Sequence, residues 1–281
     1  MMHTLKDIAV FFDESEAGRR ILDTAARLAG SQNSHLIAIT TTRYTGALVA
    51  DGFARGEAIA EVIQQRQALM HTHLIRAGQY LATVANRYGI TAELRVIPYG
   101  DLDVETGLRS LYCDLLVVSH PDAPGVPFPW SSASVLQRTG NPILIVPRSW
   151  GTRPVARRIT VGWNASRQAR RAVADALPLL IAAESVNLLS IDPEHEAEEH
   201  EPEPGADMAL YLARHGVRVD VQRIRSDGKP TAEVLVSHAA EVNSDLIVFG
   251  AYSRLRISEA ILGGVSRTLL AEVPLPLFVS R

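Results

Sequence analysis

The chain has 281 residues, of which 47% are hydrophobic and 21% charged, and its formal net charge is −3. This composition excludes a disordered chain, and the small negative charge gives no overall attraction to nucleic acid or anionic lipid. No apolar run reaches the length of a membrane span, and no apolar segment follows a basic start. The single cysteine, Cys113, has no partner for an internal disulfide. We therefore expect a soluble cytoplasmic protein of one large domain or two smaller ones.

A predicted strand opens each half of the chain. Residues 7–13 (DIAVFFD) and 158–164 (RITVGWN) are short, β-rich apolar runs that end in Asp or Asn. Such runs are typical of buried parallel strands. A serine follows two residues later in each case, Ser15 or Ser166, where its side chain would cap a helix. The repeat predicts that the two halves share one architecture.

The next elements also repeat. A helical pattern follows each serine, and in the first half Gly30 is predicted to end it. Second strands are predicted over 35–39 and 186–191, at an offset of 151 residues. The first half then carries 20 extra residues, which lie in the loop after Thr40 and in a long helical pattern that ends at Gly89. Its apolar stripe comprises Ile59, Ile63, Met70, Leu74, Ala77, Leu81 and Val84.

The remaining elements complete two copies of one plan. Third strands are predicted near 92–97 and 217–222, fourth strands over 114–119 and 245–250, and fifth strands over 142–147 and 276–280. Third helices are predicted to start near Asp101 and near Pro230. We therefore predict two tandem doubly wound α/β domains, residues 1–148 and 157–281. Each has a five-stranded parallel sheet with helices on both faces.

A ligand site in such a sheet lies outside the carboxyl ends of the strands, where the winding direction reverses. In the second half, Asn164 and Gly250 end the two strands that would meet there. Ser253 follows, and Gly263-Gly264 then opens a helix that contains Ser266. Free backbone N–H groups at the positive end of a helix dipole favour a phosphate, and Ser266 would add a hydroxyl.

These residues give the chain a resemblance to the universal stress protein family. Its nucleotide-binding members carry Gly-x2-Gly-x9-Gly-[Ser/Thr] after the fourth strand. Gly250 and Gly263 match the first and third glycines, whereas Ser253 replaces the second glycine and Gly264 replaces the Ser/Thr. The resemblance implies a fold like that of adenine-nucleotide hydrolases. It also implies ATP or AMP as the ligand, with Mg²⁺ only as its companion, and Asn164 in place of the family's adenine-side aspartate.

The first half departs further from the family pattern. It keeps an aspartate at Asp13, but Ser119, Asp122 and Ser132 stand at the glycine positions. The loop over 121–130 contains four prolines, each of which removes a backbone N–H that a phosphate would need. We therefore predict that this half binds no nucleoside triphosphate.

Three functions remain open on the sequence. The first is a stress-response module that binds ATP or AMP without rapid turnover. The second is a ligandless scaffold acting through protein contacts, with the glycines serving architecture and Asn164 capping a helix. The third is a slow ATPase, although no general base or metal ligand lies near the glycines. Because no catalytic motif is present, we expect no efficient enzyme.

The resemblance also bears on assembly. Single-domain members of the family pair across an edge strand. The two halves of this chain would form that pair internally, by joining their fifth strands. The sequence leaves open whether two chains then associate as a homodimer, and it names no protein partner.

Overall fold

The computed structural model describes residues 4–43, 57–99, 111–121, 124–126, 132–192, 205–251, 253–254, 261–262 and 264–281. The helix predicted from Asp101, together with Asp122 and Gly263, lies outside these ranges.

The first half contains five strands in the predicted order. They are β1 (Asp7–Phe11), β2 (His35–Arg43), β3 (Ala92–Tyr99), β4 (Leu115–His120) and β5 (Ile143–Pro147). Its helices within the described ranges are α1 (Glu16–Gln32), α2 (Glu57–Tyr88) and α3 (Ser132–Thr139). A 3-10 turn over Arg148–Trp150 leads into the second half.

The second half repeats this plan and adds a short ribbon. Its strands are β6 (Arg158–Gly162), β7 (Ser185–Ile191), β8 (Val219–Ile224), β9 (Leu246–Gly250), β10 (Ser253–Arg254), β11 (Ile261–Leu262) and β12 (Leu277–Ser280). Its helices in the described segments are α4 (Arg167–Ala182), α5 (Ala206–Arg214), α6 (Thr231–Glu241) and α7 (Gly264–Glu272).

Ten strands form one sheet in the order β3-β2-β1-β4-β5-β12-β9-β6-β7-β8. Within each half of this ten-stranded sheet all pairings are parallel, and the first strand of each half lies beside its fourth as predicted. The two halves join where β5 and β12 pair antiparallel, with Leu144 opposite Phe278. This confirms the predicted internal pairing of the fifth strands. It also removes two sheet edges that would otherwise be open to other chains.

The core follows from the apolar runs. β1, β4, β5 and β12 are buried along almost their whole length, as parallel strands covered on both faces require. Ser15 and Ser166 cap α1 and α4 as predicted, accepting hydrogen bonds from Gly18 and Ala169.

Two predicted helix ends differ from the structure. α1 runs past Gly30 to Gln32, and its C-cap Asn33 closes the helix with a left-handed φ of 55°. Asparagine tolerates that conformation, so a glycine is not required there. Pro230 is the N-cap of α6 and not its first helical residue. No helix within the described ranges combines the length and apolar character needed to cross a bilayer.

Candidate functional site

The predicted site lies at the carboxyl edge of the second half of the sheet. β6 and β9 are neighbours, with Val161 opposite Val248, so the residues that follow them emerge side by side. Trp163 and Asn164 follow β6, and Ala251 follows β9. The backbone N–H of Ala251 still bonds to Ser280 of β12 at 2.7 Å, so the chain leaves the sheet after that residue.

Asn164 takes part in the turn that starts α4. Its side-chain oxygen accepts a 3.3 Å hydrogen bond from the backbone N–H of Ser166. Asp13 makes the same contact with Ser15 in the first half, at 2.9 Å. Asn164 is exposed, so its amide nitrogen remains accessible to solvent or to a ligand. The geometry gives Asn164 a structural role and leaves room for a ligand contact through the NH₂ group.

Gly250 is required by packing. A Cβ atom at this position would lie 2.3 to 2.6 Å from backbone atoms of Gln168 and Ala169, in the first turn of α4. The end of β9 therefore approaches α4 too closely for any side chain. This contact brings the strand end and the helix start together at the centre of the predicted site.

Gly264 has the opposite surroundings. It is the exposed first residue of α7, and a Cβ there would meet no atom within 4 Å. Packing therefore does not require a glycine there, and the start of α7 is exposed at this residue. Ser266, two residues further along, is buried. Gly263 lies outside the described residues.

A short ribbon connects these parts. β10 pairs antiparallel with β11, so Ser253 lies opposite Leu262, two residues before Gly264. The structure thus brings Ser253 to the start of α7, although ten residues separate the two in sequence. Two-residue strands carry no periodic signal, and the sequence did not predict them.

Two residues that sequence reasoning missed lie at the same edge. Trp163 and Ser190 are 5% and 3% exposed. Within the described part of the chain, neither the indole N–H of Trp163 nor the hydroxyl of Ser190 has a hydrogen-bond partner. A Cβ on Gly205 would lie 3.6 Å from both Ser190 Oγ and Trp163 Cδ1, so the two side chains flank the start of α5. Ser190 is the polar residue nearest the carboxyl end of β7, and that position was the available signal in the sequence.

At the corresponding edge of the first half, Gly125 packs against the chain at the end of β1. Gly125, with a φ of 76°, approaches the backbone of Phe12 so closely that a Cβ would lie 2.3 Å from the Phe12 carbonyl oxygen. A crevice between α1 and the ends of β4 and β5 has a volume of only about 20 Å³. That is room for roughly one water molecule, not for a nucleotide. In the described residues no group of three or more His, Cys, Asp or Glu side chains is placed to hold a metal ion.

Comparison with models of protein families identifies the family of the second half. The model of the universal stress protein family matches residues 156–281, from just before β6 to the last residue of the chain. The C-terminal domain belongs to the universal stress protein family. Comparison with curated proteins gives no match.

Solved structures extend the likeness to the whole chain. A universal stress protein from Archaeoglobus fulgidus DSM 4304 matches with a TM-score of 0.67 and 16% identity, covering 98% of each chain. At that identity the match establishes the fold alone, which in this chain is two tandem doubly wound α/β domains. It says nothing about a ligand.

Two shorter Archaeoglobus fulgidus universal stress proteins are also similar. One matches at 20% identity and a TM-score of 0.37, covering 44% of this chain and 98% of its own. The other, solved in complex with dAMP, matches at 14% identity and a TM-score of 0.30, covering 52% and 98%. These TM-scores are too low to bear on the ligand of this chain.

Proposed function

We propose that the C-terminal domain binds an adenine nucleotide, ATP or AMP, at the carboxyl ends of β6 and β9, within a cytoplasmic stress-response protein. Turnover of the nucleotide is slow or absent. The observation that carries the proposal is the pair of buried polar groups without partners, Trp163 Nε1 and Ser190 Oγ.

Such groups are unfavourable in a folded protein that contains no ligand. A buried donor or acceptor without a hydrogen bond costs about 1–3 kcal/mol, and the two groups here lie at the same edge of the sheet. An indole N–H can only donate, whereas a serine hydroxyl can donate or accept. A purine base offers ring nitrogens as acceptors and an exocyclic amine as donor, so it carries partners for both kinds of group.

The phosphate end would lie at α7. Its first turn presents free N–H groups at the positive end of the helix dipole, and Gly264 leaves them sterically open. Ser253 is held near this turn by the ribbon of β10 and β11. In the first half, by contrast, the backbone at Gly125 packs against Phe12 at the end of β1. We therefore propose one nucleotide site per chain.

A ligandless scaffold is the second candidate, and two contacts favour it. The side-chain oxygen of Asn164 is engaged by Ser166, and Gly250 is explained by its packing against α4. Under this alternative a water molecule would satisfy Trp163 and Ser190.

Calorimetric titration with ATP and AMP separates the two candidates. We compare the wild type with Gly264→Asp, which places a carboxylate where the phosphates would lie, and with the neutral matched control Gly264→Asn. Both side chains enter open space, so folding is preserved. If the domain binds a nucleotide as proposed, the wild type and Gly264→Asn should both bind it. Gly264→Asp should bind the nucleotide at least about tenfold more weakly. If the folded wild type binds neither nucleotide, the scaffold alternative is correct.

Catalysis is tested on the same protein. Phosphate release from ATP with Mg²⁺ is expected to be no faster than hydrolysis in buffer, since the sequence places no general base near the glycines. Release well above that background, lost in Gly264→Asp, would make the domain an ATPase.

A further inference from the structure

Helix α2 is much longer than its counterpart in the second half. It has 32 residues, whereas α5 has nine. Its C-terminal part packs on its own domain through the buried side chains of Ala77, Leu81 and Val84. Further upstream, every side chain whose exposure is described between 61 and 72 is exposed, and Leu69 is 71% exposed.

Polar contacts hold α2 in a fixed orientation. Nδ1 of His73 lies 3.1 Å from a carboxylate oxygen of Glu14, and the guanidinium of Arg19 lies 5.1 Å from the centre of the Tyr80 ring. At the C-terminal end Arg87 pairs with Asp23 at 2.9 Å. The upstream turns therefore continue from an anchored helix.

One side of these upstream turns is self-complementary. Glu61, Gln65, Leu69, Thr72 and Arg76 fall within an arc of roughly 80° at 3.6 residues per turn, and we call this the Leu69 face. Along the helix axis, Glu61 and Arg76 stand at the two ends of this face and carry opposite charges. Leu69 stands near the middle between them. Among the described residues, neither Glu61 nor Arg76 takes part in an ion pair.

We propose that the Leu69 face is the interface of a homodimer, in which α2 packs antiparallel against α2 of a second copy. In that arrangement Glu61 of each copy faces Arg76 of the other, and the two Leu69 side chains meet near the twofold axis. The interface is isologous, because the same residues contribute from both copies. A parallel arrangement would place like charges opposite each other, so the charges favour the antiparallel one.

Other surfaces are less suited to a second copy. The fifth strands are already paired with each other inside the chain. The outer strands of the sheet, β3 and β8, carry the charged residues Glu93, Arg95, Asp220 and Arg223, which oppose edge-to-edge pairing. The Leu69 face combines an exposed apolar centre with complementary charges.

Charge exchange tests the proposal directly. Sedimentation equilibrium over a range of protein concentrations compares the wild type with Glu61→Arg, Arg76→Glu and the double variant. Each single change creates two like-charge contacts and is expected to weaken dimerisation at least about tenfold. The double variant restores opposite charges across the interface and is expected to regain the dimer. A mixture of the two single variants is expected to form a heterodimer.

The apolar centre provides a matched pair of variants. Leu69→Asp is expected to give a monomer, whereas Gln67→Asp adds the same charge on the other side of α2 and is expected to leave the dimer intact. Circular dichroism checks that each variant keeps its fold. A monomeric wild type would overturn the proposal, as would a dimer insensitive to the single exchanges or a double variant that fails to recover.

Discussion

The carboxylate of Asp245 accepts a 2.9 Å hydrogen bond from the backbone N–H of Arg157, and a second oxygen contact of 3.2 Å reaches the same donor. Asp245 also accepts from the N–H of Arg158, so one side chain ties the start of β9 to the start of β6. Asp114 occupies the same place in the first half, accepting from Lys6 and Asp7. In both halves, an aspartate therefore joins the first and fourth strands by hydrogen bonds at the amino edge of the sheet. The ionisation of such an aspartate is expected to affect the free energy of unfolding.

Stability is expected to depend on the titration of Asp245. Burial raises the pKa of this carboxyl above its ordinary value of 3.8, although the bonded N–H groups oppose the shift. Between the unfolded and the native pKa, the native state therefore binds more protons than the unfolded state. The contribution of Asp245 to the free energy of unfolding must fall as pH rises through that window.

Asp245→Asn removes this titration and keeps an acceptor oxygen. Urea unfolding measured from acid to neutral pH should show the wild type losing stability relative to the variant across the window. Parallel pH profiles for the two proteins would show that the burial of Asp245 does not perturb its ionisation.

Cys113 is expected to react slowly with alkylating reagents. Burial, with Asp114 and Asp7 nearby, raises the pKa of its thiol from 9.0 to about 12. The amide of Asn141 lies 3.3 Å from the sulfur. Because the thiolate is the reactive form, iodoacetamide at mildly alkaline pH should modify the native protein at least about tenfold more slowly than the urea-unfolded chain. Comparable rates in the two states would contradict this environment.

Gly250→Ala is expected to destabilise the protein, because the added methyl group would overlap the backbone of Gln168. Overpacking of this kind costs about 1–3 kcal/mol. Gly264→Ala is the matched control, since its methyl group meets nothing within 4 Å. Thermal unfolding should show a loss for the first variant and no loss for the second. Equal stability of the two would mean that the end of β9 does not pack against α4 as described.

Ser190→Ala is expected to separate stability from binding. Removing a buried hydroxyl that has no partner should leave the stability of the ligand-free protein unchanged or raise it by about 1 kcal/mol, while weakening nucleotide binding. Ser244→Ala is the control, because the Ser244 hydroxyl lies 2.7 Å from the hydroxyl of buried Thr160. That variant should lose about 1 kcal/mol of stability without loss of affinity. A large destabilisation by Ser190→Ala would show that its hydroxyl is already satisfied.

The sequence predicted the sheet well, for a physical reason. Each buried parallel strand needs a continuous apolar run, and segments such as residues 8–12 and 115–118 are apolar throughout. The pairing of β5 with β12 followed from the need to cover an edge. By contrast, the end of α1 was predicted wrongly. The helix is closed by the left-handed backbone of Asn33, whereas Gly30 was predicted from the sequence because glycine is the commoner residue at such an end.

The site was predicted less completely. From the sequence, Gly250 and Gly264 had the same predicted role as site glycines. In the structure, packing against α4 requires a glycine at position 250, whereas a side chain at position 264 would enter open space. Only the three-dimensional contacts reveal this difference. The unpartnered groups of Trp163 and Ser190 come together from different strands around Gly205. No spacing rule in the sequence connects residues whose proximity depends on the folded sheet.

The central claim is that one adenine nucleotide binds per chain, in the C-terminal domain. Isothermal titration of the purified full-length wild type with ATP tests it most directly through its stoichiometry. We expect one site per 281-residue chain. Two sites per chain would contradict the prediction that the first half binds no nucleoside triphosphate. No binding of ATP or AMP by the folded protein would contradict the claim itself.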